Sequence, residues 1–421
     1  MERRSSHAGS GYGAPVTQRR GALGRVTYAT AILPPASQSA HGMPWAQARA
    51  VATTAPAALG AERVPLAASA GRVLAAPVRA LVAAPAFDTA AMDGFAVAGC
   101  GPWRVAGRVL AGRPGWPGAL AAGEAVEIAT GAVVPAAAEA VLPYETCRVD
   151  GGMVSGTRGA KDHIRRIGED ARPGDELVPS GRIVTAAVLG AAAQAGADEL
   201  TVHRRPAVAV LVTGDEVVTR GIPGAGQVRD ALSPIAAAIT VRAGGEPVEC
   251  RFLPDDAGLL RTAIETAPAD VVVVTGSSSA GAADHLTSVL AALGARRLID
   301  GVRCRPGHPQ ALAVTATGRW IVGLPGNPFA GLVAGLTILE PVVAALAGRT
   351  LPAPVTLPVV GATHPYPEGV RLAPVEICGG QARIVPGARS GSLRAAATAD
   401  ALAVLHPHWA TGNPAALLAL P

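Results

Sequence analysis

DVVVVTGSSSAGAADHL, residues 270 to 286, constrains the fold more than any other stretch of the chain. A strand with one wet face alternates apolar and polar residues, and four consecutive valines do not. They predict a strand buried on both faces. Nine small residues follow, Thr275 to Ala283, and at Asp284 a helical pattern opens. A bare loop between a buried strand and a helix lets backbone N–H groups approach a ligand, and the helix end favours an anion. A tight turn with no ligand explains the same residues equally well.

The surrounding sequence repeats the pattern. After Pro206 come a strand (AVAVLVTG, 207 to 214), a helix ending at glycine (DALSPIAAAITVRAG), a strand (EPVECRFL), a helix (DAGLLRTAIETA), the valine strand and a helix (HLTSVLAALG). TATGRWIVGLPG adds a turn and a strand, and a helix over 328 to 347 closes the layer. Repeated βα units with continuous apolar strands predict a parallel sheet covered on both faces. That last helix carries Glu340 and Pro341 and reads as a buried core helix, so no membrane span is expected.

Upstream, residues 81 to 173 break into short apolar runs separated by Gly and Pro, the spacing of a small all-β module. The whole reads as a multidomain α/β chain. We expect a disordered extension (1–42), an N-terminal helix and linker (43–80), the β-rich module (81–173), and a hinge (174–205) with a helix in TAAVLGAAAQAGA. The α/β domain (206–350) and a C-terminal, barrel-like β domain (351–421) complete it.

Charge points away from nucleic acid. The formal net charge is +5, but residues 1 to 42 hold five arginines against one glutamate, so the remaining chain is nearly neutral. No basic face with interleaved aromatics is evident. The head is Arg-rich and acid-poor, as transit segments are, but fits better a disordered extension ahead of Met43. Lys161 is the one lysine, a sign of coding bias. Five scattered cysteines without CxxC predict a reducing cytoplasm and neither disulfides nor a cysteine metal site.

In a doubly wound sheet, ligands bind beyond the carboxyl ends of the strands. Three loops should meet there: Thr213, Gly214, Asp215 and Glu216 after the first strand; Gly276, Ser277, Ser278, Ser279, Gly281 and Asp284 after the valine strand; and Pro325, Gly326, Asn327 and Pro328 after the last. Asn327 suits an N-cap and Pro328 the first helical position, giving a second helix start at that edge. Carboxylates beside an anion site commonly hold Mg²⁺. In FDTAAMDGFAV (87 to 97), Asp88 and Asp93 are either turn hydrogen-bonders, which the pattern favours, or functional carboxylates, and Gly94 allows a backbone turn. RRIGED (165 to 170) reads as a solvated charged face, or as an anion contact through Arg165 and Arg166.

Eight stretches in order resemble the molybdopterin molybdenumtransferase family: FDTAAMDGFAV, IATGAVVPAAAEAVLPYE, RRIGEDARPGDELVPSG, RRPAVAVLVTGDEVV, GQVRDALS, TGSSSAGAADHL, RPGHPQALA and GLPGNP. They run from residue 45 to about 345, and GSLRAAATADALAVL (391 to 405) fits the family's last domain. The resemblance implies an elongated homodimer with active-site residues drawn from both chains. It implies Mg²⁺-dependent insertion of molybdenum from molybdate into adenylylated molybdopterin, with release of AMP. Contact with a molybdopterin adenylyltransferase or with recipient molybdoenzymes is also implied.

Carried onto this chain, the functional positions are Asp93, Thr130 and Asp170 in the β-module and hinge, and Glu216, Asp230, Asp284, Pro325 and Pro328 in the α/β domain. Glu216, Asp230 and Asp284 would hold the metal. Arg305 and His308 would hold molybdate.

The chain departs from the family pattern at several of these places. GGVSVGEAD is GSSSAGAAD, so a glycine is Ser277 and a glutamate is Ala282; KPGKP is RPGHP; an expected Asn is Leu232; and Thr89 and Phe95 replace an Asn and a Tyr. A histidine at 308 carries charge only part of the time near neutral pH. These losses motivate an alternative, a paralogue that holds molybdopterin or partner enzymes without turnover. A third reading, an adenylyltransferase, fits the α/β domain but leaves the β-module and hinge unused.

Overall fold

The computed structural model describes residues 42–276 and 285–421. The extension expected over 1–42 lies outside them save for Gly42, as do Ser277, Ser278, Ser279, Gly281, Ala282 and Asp284.

The βα repeat folds as its sequence demands. In the α/β domain the elements are β1 (Ala207–Thr213), α1 (Leu232–Ala243), β2 (Glu246–Leu253), α2 (Ala257–Thr266), β3 (Val271–Thr275), α3 (Leu286–Ala292), β4 (Arg296–Asp300), β5 (Ala311–Val314), β6 (Trp320–Leu324) and α4 (Pro328–Leu346). The sheet order is β2-β1-β3-β6-β5-β4. The first four strands are parallel, while β5 and β4 are antiparallel additions, so the expected parallel sheet has a mixed edge. The turn at Thr315–Arg319 explains the switch: β5 and β6 form a hairpin, which only antiparallel strands can.

Burial on both faces follows the pleat. Val208, Val210 and Val212 of β1 pack toward α1 and α4, and Ala209 and Leu211 pack toward α2 and α3. Burying one such leucine contributes about 2 kcal/mol.

Helix α4 is long and apolar enough to cross a membrane, and 94% of its apolar stretch is buried inside the fold. Its turn over Gly335–Leu339 is π-helical. Pro341 accounts for the carbonyl left without a helical partner there: in the π register Leu336 would pair with residue 341, and proline has no N–H. Arg49, from the helix Trp45–Thr54, donates to that Leu336 carbonyl instead, and Trp45 Nε1 donates to Thr337 Oγ1 at 3.0 Å. Arg49→Met strands the carbonyl and is expected to lower stability by about 2 kcal/mol in denaturant unfolding.

Elsewhere the chain is mostly β. Six strands form the sheet of the β-module, in the order Ala140–Pro143, Gly94–Val97, Glu124–Ile128, Trp103–Val109, Met153–Gly156 and Cys147–Asp150. Two-stranded pairings of Ala61–Pro65 with Glu199–His203, and of Val78–Arg79 with Glu176–Val178, flank the helix Ala186–Gln194, which Thr185 caps. In the C-terminal domain, Val370–Cys378, Gln381–Ile384, Val355–Val360, Pro414–Ala419 and Ala401–Leu405 close into a barrel, because Val370–Cys378 also pairs with Ala401–Leu405. Two further strands, Val302–Arg305 and Met43–Pro44, extend that sheet. The stretch 302–305 therefore leaves the α/β sheet within its expected span and carries the RPGHP loop to the junction with the barrel. All five cysteines are free thiols.

Candidate functional site

The order β2-β1-β3 puts the reversal of strand order between β1 and β3, where a cleft opens beyond the strand ends. Thr213 Oγ1 donates to the Thr275 carbonyl at 2.8 Å, tying the two ends together. Gly276 must be glycine here: φ is +85°, and a Cβ would lie 2.7 Å from the Thr213 carbonyl oxygen.

The cleft, of about 630 Å³, is lined by Thr213, Glu216, Asp230, Leu232, Gly276, Pro325, Gly326, Asn327 and Pro328 among others. Most of the described α/β-domain positions expected at the site thus converge. Asp215 does not join them. Its Oδ1 accepts from the Asp255 N–H at 3.3 Å, and it lies outside the lining. The Glu216 side chain makes no hydrogen bond or ion pair with a described residue, and its carboxylate folds back over Gly214.

Of the two helix starts expected to offer N–H groups to an anion, the one opening at Asp284 begins outside the described residues, and the other, at α4, has its amides taken, as does α1. Asp230 Oδ1 accepts from Leu232 N (2.9 Å) and Ser233 N (3.1 Å), and Oδ2 takes the Ser233 hydroxyl, so α1 is capped by its own carboxylate. At α4, Asn327 sits at the N-cap position with Pro328 at the first turn, but its side chain caps nothing. The Ser390 carbonyl accepts from Phe329 N (2.9 Å) and Ala330 N (3.2 Å) instead. Capping by the C-terminal domain fixes α4 at that edge and uses up its amides.

A second cleft, of about 690 Å³, opens between the RPGHP loop and the barrel, and shares Pro309, Pro325 and Asn327 with the first. Its walls are basic: Arg305, His308, His364, Arg371 and Arg389. Arg371 is held below its ordinary value, first by burial and then by Arg305, and its Nε has no hydrogen-bond partner among the described residues. Arg305 stacks on the Tyr366 ring at 5.4 Å. His308 lines this cleft, but its Nδ1 sits 2.8 Å from the Val302 carbonyl. A carbonyl only accepts, so Nδ1 carries the proton, and the neutral ring has no donor left for an anion. Arg371, Arg389 and His364 were not expected from sequence. Arg371 lies on a strand and His364 and Arg389 in loops, all in Pro- and Val-rich sequence with no motif, and only the barrel's packing onto α4 assembles them.

A separate cluster forms in the β-module. Ile164–Arg165 pairs with Thr89–Ala90, and Gly131 N and Val134 N donate to the carbonyls of Ala90 and Asp88. FDTAAMDGFAV, ATGAVV and RRIGED are therefore neighbours. Asp88 is structural: it accepts from Ile167 N at 2.8 Å and pairs with Arg166 at 3.0 Å. Arg166 also pairs with Asp162, so it has no free charge for an anion. Gly94 serves close approach rather than a turn. It opens a strand, and a Cβ would sit 1.9 Å from the Leu142 carbonyl oxygen. The exposed Asp170 lies in this cluster, on the RRIGED segment. Neither cleft's lining includes Asp93, Thr130 or Asp170.

Asp93 Oδ1 accepts from Thr130 N (2.6 Å) and Thr130 Oγ1 (2.9 Å), and these two bonds, the backbone one first, hold the carboxyl below the usual carboxylate value. A depressed value means the charge, and whatever depends on it, is present at neutral pH and lost only as pH falls through that lowered value. Thr130→Val removes the weaker of the two donors. The Asp93 titration, followed by carboxyl ¹³C NMR, should then move upward toward an ordinary aspartate.

With this geometry in hand, the comparisons are specific. Residues 43–196 match the MoeA N-terminal region (domains I and II), and 209–345 match the probable molybdopterin binding domain. The chain is 34% identical over 298 residues to a molybdopterin molybdenumtransferase of Nostoc sp., covering 67% of this chain and 68% of that one. The chain belongs to the molybdopterin molybdenumtransferase family. Molybdopterin molybdenumtransferase 2 of Mycobacterium tuberculosis, another relative, is 36% identical over 302 residues, which cover 66% of this chain and 73% of that one. The crystal structure of a molybdopterin biosynthesis MoeA protein from Pyrococcus horikosii superposes with a TM-score of 0.73 at 26% identity, over 90% of this chain and 99% of that chain.

Proposed function

We propose that this chain is a transferase that inserts molybdenum into molybdopterin, taking the pterin as its adenylylated form and the metal as molybdate, and releasing AMP. One observation carries the detail. A cleft with two carboxylates and a cleft with five basic side chains share a wall at Pro309, Pro325 and Asn327. An adenylylated phosphate needs a hard cation beside it, and an oxyanion needs fixed positive charge; the two clefts offer these side by side.

Glu216 and Asp230 fit Mg²⁺, being oxygen donors on one cleft wall, and Asp284 would complete the set from the loop outside the described residues. When bound, Mg²⁺ would supply charge neutralisation for the phosphates and the leaving AMP. Thr213 and Gly276 keep the backbone low enough for the phosphate to lie across the strand ends. Arg305 and Arg371 would hold molybdate. Two guanidiniums pressed together in a partly buried pocket are relieved by a dianion between them.

Asp93, Thr130 and Asp170 would act on the clefts of a second copy, in a homodimer whose active site needs both chains. The test is AMP release from adenylylated molybdopterin with Mg²⁺, with and without molybdate. Molybdate-dependent release supports the proposal; tight nucleotide binding with no AMP at any molybdate concentration overturns it.

A further inference from the structure

Beside Asp93 the β-module carries a hydrogen-bonded row with no part in the proposed reaction. Arg108 Nε donates to Glu127 Oε2 at 2.7 Å, and Tyr144 Oη donates to Glu127 Oε1 at 2.7 Å. Arg108 and Glu127 lie on the paired strands Trp103–Val109 and Glu124–Ile128, and Tyr144 follows the strand Ala140–Pro143. The Tyr144 N–H donates to the Asp93 carbonyl at 3.3 Å, so the phenol's anchor abuts the motif that carries Asp93. Phe95 meets the Tyr144 ring edge-on, with centroids 5.5 Å apart, and 44% of the tyrosine remains exposed.

The row has a direction. Arginine only donates and a carboxylate only accepts, so the phenol proton belongs to Glu127. What remains on the phenol for a ligand is a pair of acceptor lone pairs. Burial first, and then the Glu127 bond, push Tyr144 up to about 12, so it stays neutral in the working range. Asp93 keeps Oδ2 without a hydrogen bond among the described residues. This patch therefore pairs a charged acceptor with a neutral one, and the guanidinium nearby is already paired.

We infer that Tyr144, held by Glu127 and Arg108, is a specificity-determining residue that, with Asp93, accepts hydrogen bonds from the N–H edge of the pterin's aminopyrimidinone ring. The inference rests on the reading that this chain acts on molybdopterin. A pterin sets a ring N–H beside an amino group, two donors side by side. A lumazine, with oxygen in place of that amino group, puts an acceptor against an acceptor and should be rejected.

The test uses the intact protein with 6-hydroxymethylpterin and 6-hydroxymethyllumazine as probes. Binding is read by fluorescence titration and by competition with adenylylated molybdopterin. The wild type should prefer the pterin by about tenfold or more, roughly one hydrogen bond's worth. Tyr144→Phe should lose most of that preference and raise KM for the adenylylated substrate about tenfold, with kcat within about twofold. Glu127→Gln is the sharper arm: its amide can donate to the phenol oxygen and turn the O–H outward, so the preference should fall or reverse toward lumazine. A Tyr144→Phe protein with wild-type preference and KM overturns the inference, as does a Glu127→Gln protein that discriminates like wild type. If the wild type discriminates through Tyr144 but releases no AMP, the inference stands and the molybdenumtransferase reading falls.

Discussion

Glu216→Gln is expected to cut molybdate-dependent AMP release about a hundredfold or more, while the thermal unfolding midpoint stays where it was. The separation of the two effects is what makes this variant informative. The Glu216 carboxylate makes no hydrogen bond or ion pair with a described residue, so glutamine removes a charge and breaks no structural contact. Asp230 behaves differently. It also caps α1, and Asp230→Ala mixes a loss of about 1 kcal/mol of helix stability with any loss of metal. Asp230→Ser keeps a capping oxygen and should restore the stability without the activity. If Glu216→Gln keeps wild-type turnover across a Mg²⁺ titration, the two-carboxylate cleft is not the metal site.

What the sequence disclosed and what it withheld divide along physical lines. The α/β domain was legible because burial on both faces leaves continuous apolar runs, and helices between them end at Gly or begin at Asp. The meeting of the loops after β1 and β6 with Gly276 at the end of β3 followed from topology alone. The role of α4's start was misread because its amides are satisfied by Ser390, a residue of another domain that no local pattern reveals. Gly94 was misread for a related reason: close approach to the Leu142 carbonyl is a property of strand pairing, whereas a turn is the local meaning of glycine. The basic cleft was half seen. Arg305 and His308 came from a motif, whereas Arg371, Arg389 and His364 stand in no motif, and in an arginine-biased chain an isolated arginine carries no signal.

Arg371→Met is expected to raise KM for molybdate about thirtyfold, and for tungstate alike, with KM for the adenylylated pterin unchanged. Permanent charge in the second cleft belongs to its arginines. An arginine stays protonated at any working pH, whereas the His308 ring has its Nδ1–H committed to the Val302 carbonyl. In the neutral ring the other nitrogen is an acceptor and repels an oxyanion. Fixed attraction therefore falls to the guanidiniums, and among these Arg371 is the one that burial and Arg305 press hardest, with an Nε that has no partner among the described residues. An anion relieves all three conditions at once. His308→Gln should accordingly cost far less than Arg371→Met, because the glutamine amide can still donate to the Val302 carbonyl. Steady-state KM measurements for molybdate on the two variants settle the order, and equal effects would place the oxyanion on the histidine side of the cleft.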